Sequence, residues 1–141
     1  MKILILDDER EILDLLESML EREDVEIETT TMRCEAALMM AINRYDWLLF
    51  DYHLPDGNSL EIFETIGCSM DKVVLLTADP NNPELKVKAD ILGLHAIFDK
   101  GEGLTNAVKY IKSNSPQVYV MHAKYFSTRN SSPVFGSHTC R

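Results

Sequence analysis

The feature of this sequence that most limits the possible folds is a repeated alternation of short apolar runs with helical patterns. Five such runs lie at 2–6, 25–29, 47–50, 73–76 and 96–98. Several of them are almost continuously apolar, which is typical of strands that are covered on both faces. Strands that alternate with helices in this way predict right-handed crossovers and a parallel sheet between helical layers. The sequence therefore predicts an α/β fold.

Apolar side chains at helical spacing predict the helices between these runs. The stripes that they form, of which the third is the thinnest, lie at 12–20, 36–41, 60–66 and 104–111. A further segment, 83–92, is charged with one apolar side, and Pro83 suits its first turn. We interpret all of these stripes as faces that pack against the core.

Length and composition are those of one globular domain. The chain has 141 residues, of which 45% are hydrophobic and 26% charged, and this length allows a proper core. No apolar run approaches the ~20 residues that cross a bilayer, and the start of the chain lacks the apolar stretch of a secretory signal. The cysteines are widely spaced and predict neither a disulfide framework nor a zinc site: Cys34, Cys68 and Cys140. We therefore expect a cytoplasmic protein without a membrane partner.

Charge is divided unevenly along the chain. Residues 111–141 hold four bases and no acid, and because the net charge of the whole chain is −9, residues 1–110 carry −13. Such an acidic body argues against direct binding of nucleic acid, which needs a basic face, and favours cations and basic partners. The serine-rich stretch 113–141 predicts a tail or linker that is at most partly ordered, with a candidate strand at 117–121. We therefore place the domain at residues 1–112.

Polar residues directly follow several predicted strands, at the edge where parallel sheets of this class bind their ligands. They are Asp7, Asp8 and Glu9 after the first strand, Asp51 after the third, Thr77 after the fourth and Lys100 after the fifth. Each has a local explanation when it is taken alone. These explanations are a helix N-cap with a Glu11 partner for Asp8, a loop acid for Asp51, a cap for Thr77 and a surface cation for Lys100.

Together, the same residues describe a site for phosphoryl transfer. Several carboxylates that converge at one sheet edge repel one another unless a cation lies between them, and Mg²⁺ prefers oxygen ligands of this kind. A lysine and a threonine from neighbouring strands add a positive charge and a hydroxyl donor. Within such a set, a metal-bound aspartate can attack phosphorus and hold the phosphoryl group. Asp51 is the candidate nucleophile.

Four motifs in this order give the chain a resemblance to a known family. They are Leu6-Asp7-Asp8-Glu9, Phe50-Asp51-Tyr52-His53-Leu54-Pro55-Asp56-Gly57, Leu76-Thr77-Ala78 and Asp99-Lys100. Over about residues 1–112, the chain resembles the receiver domain of two-component response regulators, the CheY-like domain. The resemblance implies a flavodoxin-like, doubly wound, five-stranded parallel sheet in the order 2-1-3-4-5, with helices on both faces.

The resemblance also implies a role for each residue of the site. Asp51 would be the phosphoacceptor, Lys100 would pair with the phosphoryl oxygens, and Thr77 would donate to the phosphoryl group and report its presence. Four groups would bind Mg²⁺: the side chains of Asp7, Asp8 and Asp51, and the backbone carbonyl of His53.

Partners follow from the same resemblance. A sensor histidine kinase, a phosphotransfer protein or a small phosphodonor would supply the phosphoryl group. The surface of residues 83–112 would then switch and contact a downstream target or a dimer mate, with Val87, Ile91 and Phe98 as candidate apolar contacts. The domain would be no enzyme beyond its own phosphorylation and dephosphorylation.

Two positions depart from the usual pattern of the family. Family members usually carry an aromatic residue three positions before the lysine and a proline directly after it, and here those positions hold Ile97 and Gly101. We therefore expect Thr77 to act through aliphatic repacking instead of the rotation of an aromatic ring. A small residue after the lysine is more like receivers of the LuxR/NarL type.

Two alternative functions are open at the level of the sequence. A haloacid-dehalogenase-like phosphohydrolase also combines an aspartyl nucleophile, Mg²⁺, a hydroxyl and a lysine. That family, however, places Asp-x-Asp after its first strand, where this chain has Asp7-Asp8-Glu9. The second alternative is a pseudo-receiver that works by protein contact without phosphorylation, and the complete set of acids, threonine and lysine argues against it.

Overall fold

The computed structural model describes residues 1–115, which form a parallel sheet between helices. In chain order, the elements are β1 (Lys2–Leu6), α1 (Arg10–Leu20), β2 (Glu26–Thr30), α2 (Arg33–Ile42), β3 (Trp47–Asp51), β4 (His53–Leu54), β5 (Gly57–Asn58), a 3-10 helix (Ser59–Glu64), a second 3-10 helix (Met70–Lys72), β6 (Val73–Thr77), α3 (Pro83–Leu92), β7 (Ala96–Asp99) and α4 (Leu104–Asn114).

The order of the strands in the main sheet is β2-β1-β3-β6-β7, and neighbouring strands pair in parallel. Because β4 and β5 form a separate small hairpin, this is the predicted order 2-1-3-4-5, and the flavodoxin-like fold is confirmed. The predicted strands agree with the observed ones to within one residue at each end. Strands β3 and β6 are buried along their whole length, as expected of strands that are covered on both faces.

Two apolar layers cover the two faces of the sheet. On one face, Leu16 of α1 and Val108 of α4 lie in the same buried cluster as Leu49 of β3. On the other face, α2, α3 and the 3-10 helix of 59–64 pack over β3, and the ring of Phe50 stacks on that of Phe63 with 6.0 Å between the centroids. Neighbouring residues of β3 thus point into different layers, because successive strand side chains alternate between faces.

The third crossover differs from the predicted helical stripe at 60–66. A 3-10 helix occupies Ser59–Glu64, and Asn58 begins it by accepting a bond from the backbone N–H of Glu61 at 3.2 Å. Side chains at i and i+3 share a face of a 3-10 helix, which allows both Leu60 and Phe63 to be buried. The segment that follows contains Gly67 and β-branched residues, which are poor helix formers. The 3-10 helix therefore does not continue as an α-helix.

Hydrogen bonds join the hairpin of β4 and β5 to the start of α2. The carboxylate of Asp56 accepts bonds from the backbone N–H groups of Arg33 and Cys34 at 3.2 Å each. It thereby caps a helix whose own N-cap residue makes no side-chain bond. The Arg33 guanidinium donates to the carbonyl of Asn58 at 3.2 Å. Gly57 permits this approach, because its φ is +126° and a Cβ there would lie 2.6 Å from Nη1 of Arg33.

These contacts affect the ionisation of Asp56. Burial raises the pKa of its carboxyl group, the backbone N–H bonds lower it, and the net shift of the pKa is downward. Through these bonds, the turn at Pro55-Asp56 is joined to the start of α2.

The end of the described chain bears on the predicted tail. Helix α4 ends at Asn114, two residues beyond the predicted domain boundary at 112. The candidate strand at 117–121 lies outside the described residues. Within residues 1–115, no helix has both the length and the apolar character needed to cross a membrane.

Candidate functional site

Parallel strands bring the candidate site residues to one edge of the sheet. Asp7 follows β1, Asp51 ends β3, Thr77 ends β6 and Lys100 follows β7. The backbone N–H of Lys100 donates to the carbonyl of Thr77 at 2.9 Å. This bond holds the start of the loop between β7 and α4, which carries Lys100, beside β6. The carboxyl ends of parallel strands meet at one edge, so residues far apart in the sequence become neighbours here.

Three carboxylates converge at this edge. One oxygen from each of Asp7, Asp8 and Asp51 lies within 4.8 Å of the others. Asp7 is fully buried and Asp51 is 4% exposed, whereas Asp8 is exposed. The set is therefore open to solvent on the side of Asp8, and oxygen atoms at this spacing can share one divalent cation.

The local explanation considered for Asp8, a helix N-cap paired with Glu11, is wrong. Helix α1 begins at Arg10, and its N-cap is Glu9, whose side chain makes no capping bond. The backbone N–H of Glu9 donates to Oδ1 of Asp7 at 2.8 Å, so the chain turns directly around the first acid. Asp8 is not used to begin the helix, and its carboxylate lies with the other two.

The ammonium group of Lys100 joins these acids. Its Nζ lies 3.0 Å from Oδ2 of Asp7, 2.9 Å from Oδ2 of Asp51 and 2.6 Å from Oε1 of Glu9. The lysine side chain is only 12% exposed. The local explanation of Lys100 as a surface cation is therefore wrong, because its charge lies between carboxylates that would otherwise repel one another.

Burial and crowding shift the ionisation of the site. The pKa of Asp51 is raised to about 7: desolvation is the main cause and the nearby charge of Asp7 adds to it, whereas the bond from Lys100 acts in the opposite direction. Desolvation also raises the pKa of Asp7. For Lys100, burial alone would lower the pKa, but the bonds with Glu9, Asp51 and Asp7 raise it on balance. The site therefore holds more negative charge than one lysine neutralises, a condition that a divalent cation relieves.

Thr77 is buried at the end of β6, where it pairs with Asp99 of β7. Its Oγ1 accepts a bond from the backbone N–H of Asp79 at 3.1 Å. That bond uses the hydroxyl as an acceptor and leaves its hydrogen to be donated. Thr77 does not cap α3, because that role belongs to Asn82, whose side chain accepts from the N–H of Glu84 at 2.9 Å.

His53 lies two residues beyond Asp51, at the start of β4. Its side chain is exposed, and its ring contacts the ring of Tyr52 edge-on, with 4.6 Å between the centroids. The role of its backbone carbonyl as a metal ligand stays a prediction.

The predicted output surface of residues 83–112 is formed by α3, β7 and α4. Val87 and Ile91 of α3 are 58% and 79% exposed, so both offer apolar surface to a partner. Phe98 is half-buried and packs against Tyr110 of α4 with 5.7 Å between the ring centroids. Its ring therefore belongs mainly to the packing of the domain itself.

The two residues at the end of β7 face different layers. Ile97, at the position where the family usually has an aromatic residue, packs into the layer beneath α3. Phe98 packs into the layer beneath α4. The aromatic ring of β7 thus lies on the opposite face from the usual one, as the alternation of strand side chains requires.

Sequence reasoning missed the part played by Glu9. It was grouped with Asp7 and Asp8 by position alone, and its contact with Lys100 was not foreseen. The available signal was a third consecutive acid directly after a buried strand, close to a lysine that the strand order brings to the same edge.

Comparisons with known proteins agree with this geometry. The family profile described as "Response regulator receiver domain" matches residues 3–112. The two-component response regulator ARR10 of Arabidopsis thaliana is 28% identical over 91 residues, which are 62% of this chain and 16% of that protein. The two-component response regulator ORR23 of Oryza sativa is 32% identical over 78 residues, 54% of this chain and 11% of that protein. The match thus covers less than a fifth of the length of these relatives.

Solved structures share the fold. A CheY-like response regulator receiver domain protein from Methanospirillum hungatei matches with a TM-score of 0.66 and 24% identity, over 79% of this chain and 90% of that one. The chemotaxis response regulator CheY4 of Vibrio cholerae matches with a TM-score of 0.63 and 20% identity, over 79% and 96% of the two chains.

These comparisons favour neither the phosphohydrolase nor the pseudo-receiver. The profile match covers nearly all of the described domain and includes every strand that contributes to the acidic edge. The chain therefore belongs to the response regulator receiver domain family and is a receiver domain of two-component signal transduction.

Proposed function

We propose that Asp51 accepts a phosphoryl group and that Asp7, Asp8 and Asp51 hold the Mg²⁺ ion that this reaction needs. The observation that carries the proposal is the convergence of three carboxylate oxygens within 4.8 Å of one another, with the Lys100 ammonium 2.9 Å from Asp51. A carboxylate that ends a buried strand, next to a lysine and two further acids, is placed to act as a nucleophile toward phosphorus.

The donor set fits the ion. Mg²⁺ takes oxygen ligands and usually keeps several waters, and here two buried carboxylates stand beside an exposed one that leaves room for solvent. The backbone carbonyl of His53 is the proposed fourth protein ligand. When bound, the ion neutralises charge on the transferring phosphoryl group and on the carboxylates around it.

Three residues then have separate roles in the transfer of the phosphoryl group: Asp51, Lys100 and Thr77. An oxygen of Asp51 forms a bond to phosphorus as the bond from phosphorus to the donor breaks, and the donor's leaving group takes up the proton that it needs. The ammonium of Lys100 pairs with the phosphoryl oxygens. The hydroxyl of Thr77 turns its free hydrogen toward the phosphoryl group and transmits the change to β6 and β7.

The proposed partners follow from membership of the family. A histidine kinase, a phosphotransfer protein or a small phosphodonor supplies the phosphoryl group, and residues 83–112 present the switched surface. Val87 and Ile91 are the exposed apolar side chains on that surface. With Ile97 in place of an aromatic residue, the switch works through aliphatic packing beneath α3. The likeness to receivers of the LuxR/NarL type, and the division into a domain at 1–112 and a tail at 113–141, stay predictions.

We further propose that the domain turns over no separate substrate and catalyses only its own phosphorylation and dephosphorylation. The phosphoryl group is then added to and removed from a single side chain, and contacts of the switched surface carry the signal.

The experiment is phosphoryl uptake from acetyl phosphate with and without Mg²⁺, measured by intact mass. We expect one acid-labile phosphoryl group per chain, dependent on Mg²⁺ and lost in Asp51→Asn. The exposed acid Asp14 on α1 provides the matched control, and Asp14→Asn should behave as the parent chain. Equal uptake by Asp51→Asn would contradict the assignment, and steady hydrolysis of a phosphomonoester would favour the phosphohydrolase instead.

A further inference from the structure

We propose that Glu9 is a positioning residue, which shares the Lys100 ammonium with Asp7 and Asp51 and thereby favours the binding of Mg²⁺. The inference rests on the proposed function, in which those two aspartates and Asp8 hold the ion. The contact that carries it joins Oε1 of Glu9 to Nζ of Lys100 at 2.6 Å, a shorter distance than those from the lysine to either aspartate.

The start of α1 leaves the side chain of Glu9 available for this role. An N-cap side chain normally accepts a bond from the first turn, and short polar residues do this best. Glu9 is the N-cap but makes no such bond. Its backbone carbonyl accepts from the N–H groups of Ile12 and Leu13 at 3.0 and 3.1 Å. The backbone of Glu9 begins the helix, and its side chain extends to the lysine.

The lysine needs such a partner because its other carboxylates are also the proposed metal ligands. An ammonium donates three hydrogen bonds, and that of Lys100 donates to Oδ1 of Asp7 at 3.1 Å and to Oδ2 of Asp51 at 2.9 Å, while its third close carboxylate is that of Glu9. If Asp7 and Asp51 held a divalent cation, its charge would repel this ammonium and weaken the contacts of the lysine with them.

Of the carboxylates within residues 1–115 that contact Lys100, that of Glu9 lies outside the triad of Asp7, Asp8 and Asp51. Its side chain is 60% exposed, whereas those of Asp7 and Asp51 are 1% and 5% exposed. Glu9 therefore offers the ammonium a place on the solvent side of the site, away from the atoms that would hold the cation. Without Glu9, the lysine competes more strongly for the buried aspartates.

The expected effect is a change in the affinity for Mg²⁺, which can be measured without any phosphorylation. We expect Glu9→Gln to weaken binding about two- to fivefold, in the range of a partly exposed ion pair. Glu9→Asp keeps the charge but shortens the side chain by a methylene group, so it should lose the contact and weaken binding similarly. Glu11→Gln is the matched control, because this neighbouring acid in the first turn of α1 is exposed and is not among the carboxylates that contact Lys100.

The experiment is isothermal titration calorimetry of the full chain with MgCl₂ at constant ionic strength, with circular dichroism to verify that each variant is folded. Lys100→Met and the double variant Glu9→Gln/Lys100→Met complete a double-mutant cycle. If Glu9 acts through the lysine, Glu9→Gln should change the affinity by less than about twofold when Lys100 is absent.

Several outcomes overturn the inference. One is an unchanged Mg²⁺ affinity in Glu9→Gln, and another is a Glu9→Asp variant that binds as tightly as the parent chain. A loss of equal size with and without Lys100 would also overturn it, because the effect would then come from charge alone. If the parent chain binds no Mg²⁺, the proposed function fails as well. If the parent binds Mg²⁺ and takes up a phosphoryl group while Glu9→Gln matches it, only this inference fails.

Discussion

A methyl group added at Gly103 is expected to destabilise the domain and to displace the loop that carries Lys100. Gly103 is buried at the start of α4, and its N–H donates to the carbonyl of Asp99 at 2.6 Å. An ideal Cβ at this position would lie 2.7 Å from that carbonyl oxygen, 3.0 Å from the nitrogen of Asp99 and 3.3 Å from Cβ of Phe98. The nearest two are backbone atoms, which cannot rotate aside, so the loop of residues 99–103 must shift.

The magnitude follows from two opposing terms. Overpacking of this kind lowers the free energy of unfolding by ~1–3 kcal/mol. Changing glycine to alanine also reduces the conformational freedom of the unfolded chain, which raises the free energy of unfolding by ~0.4–1 kcal/mol. We therefore expect Gly103→Ala to lower the free energy of unfolding by about 1–2 kcal/mol. Gly101 is the matched control, because a Cβ there would meet only Oδ1 of Asp99 at 3.4 Å. Gly101→Ala should leave the stability unchanged or raise it by up to ~1 kcal/mol.

Urea denaturation measures both variants, with circular dichroism and the fluorescence of Trp47, the single tryptophan of the chain, as probes. Because Lys100 lies in the shifted loop, Gly103→Ala should also take up the phosphoryl group from acetyl phosphate more slowly than Gly101→Ala. If both variants unfold at the same urea concentration, or if Gly103→Ala is as stable as the parent chain, the close approach of the Asp99 backbone to Gly103 does not limit the side chain at this position.

Three further predictions concern stability, and urea denaturation tests each. Asn82→Ala removes the side-chain cap of α3 and should cost ~1 kcal/mol, whereas Asn81→Ala, an exposed change next to it, should cost little. Leu49→Ala in the fully buried centre of β3 should cost ~2–5 kcal/mol, and Leu38→Ala, at a side chain 69% exposed, should stay within about 0.5 kcal/mol of the parent. The pKa of Asp56 is lowered in the folded state, so its stabilisation is present above its unfolded pKa of ~3.9 and is lost as the pH falls through the lower folded value. The destabilisation by Asp56→Asn should therefore be larger at neutral pH than in acid, and a loss that is equal at both would contradict the assignment.

Much of the fold could be predicted from hydrophobic pattern alone. Near-continuous apolar runs predicted the buried strands, and the predicted positions agree with the observed ones to within one residue at each end. The apolar stripes at 12–20, 36–41 and 104–111 predicted the helices that lie at 10–20, 33–42 and 104–114, although some helix ends lie up to three residues beyond the stripes. The segment after Asn58 was harder, because Leu60, Phe63 and Ile66 have a spacing that suits an α-helix and a 3-10 helix nearly equally.

The candidate site was predicted less completely. Its residues could be found because polar side chains after successive strands must meet at one edge of a parallel sheet. The local environment of each could not be found in this way. Asp8 looked like an N-cap by its position before a helix, and only the observed start of α1 at Arg10 showed that Glu9 stands there instead.

The sequence by itself determined the class of the fold, the order in which acids, threonine and lysine follow the strands, and therefore which residues could share a site. The tertiary structure decided which of these groups touch. Lys100 and Asp7 are 93 residues apart along the chain, and Arg33 and Asp56 are 23 apart. Contacts of that kind depend on strand register, loop path and side-chain direction together. A one-dimensional pattern records the period of a strand or helix, but not the distance between two side chains that the fold brings together.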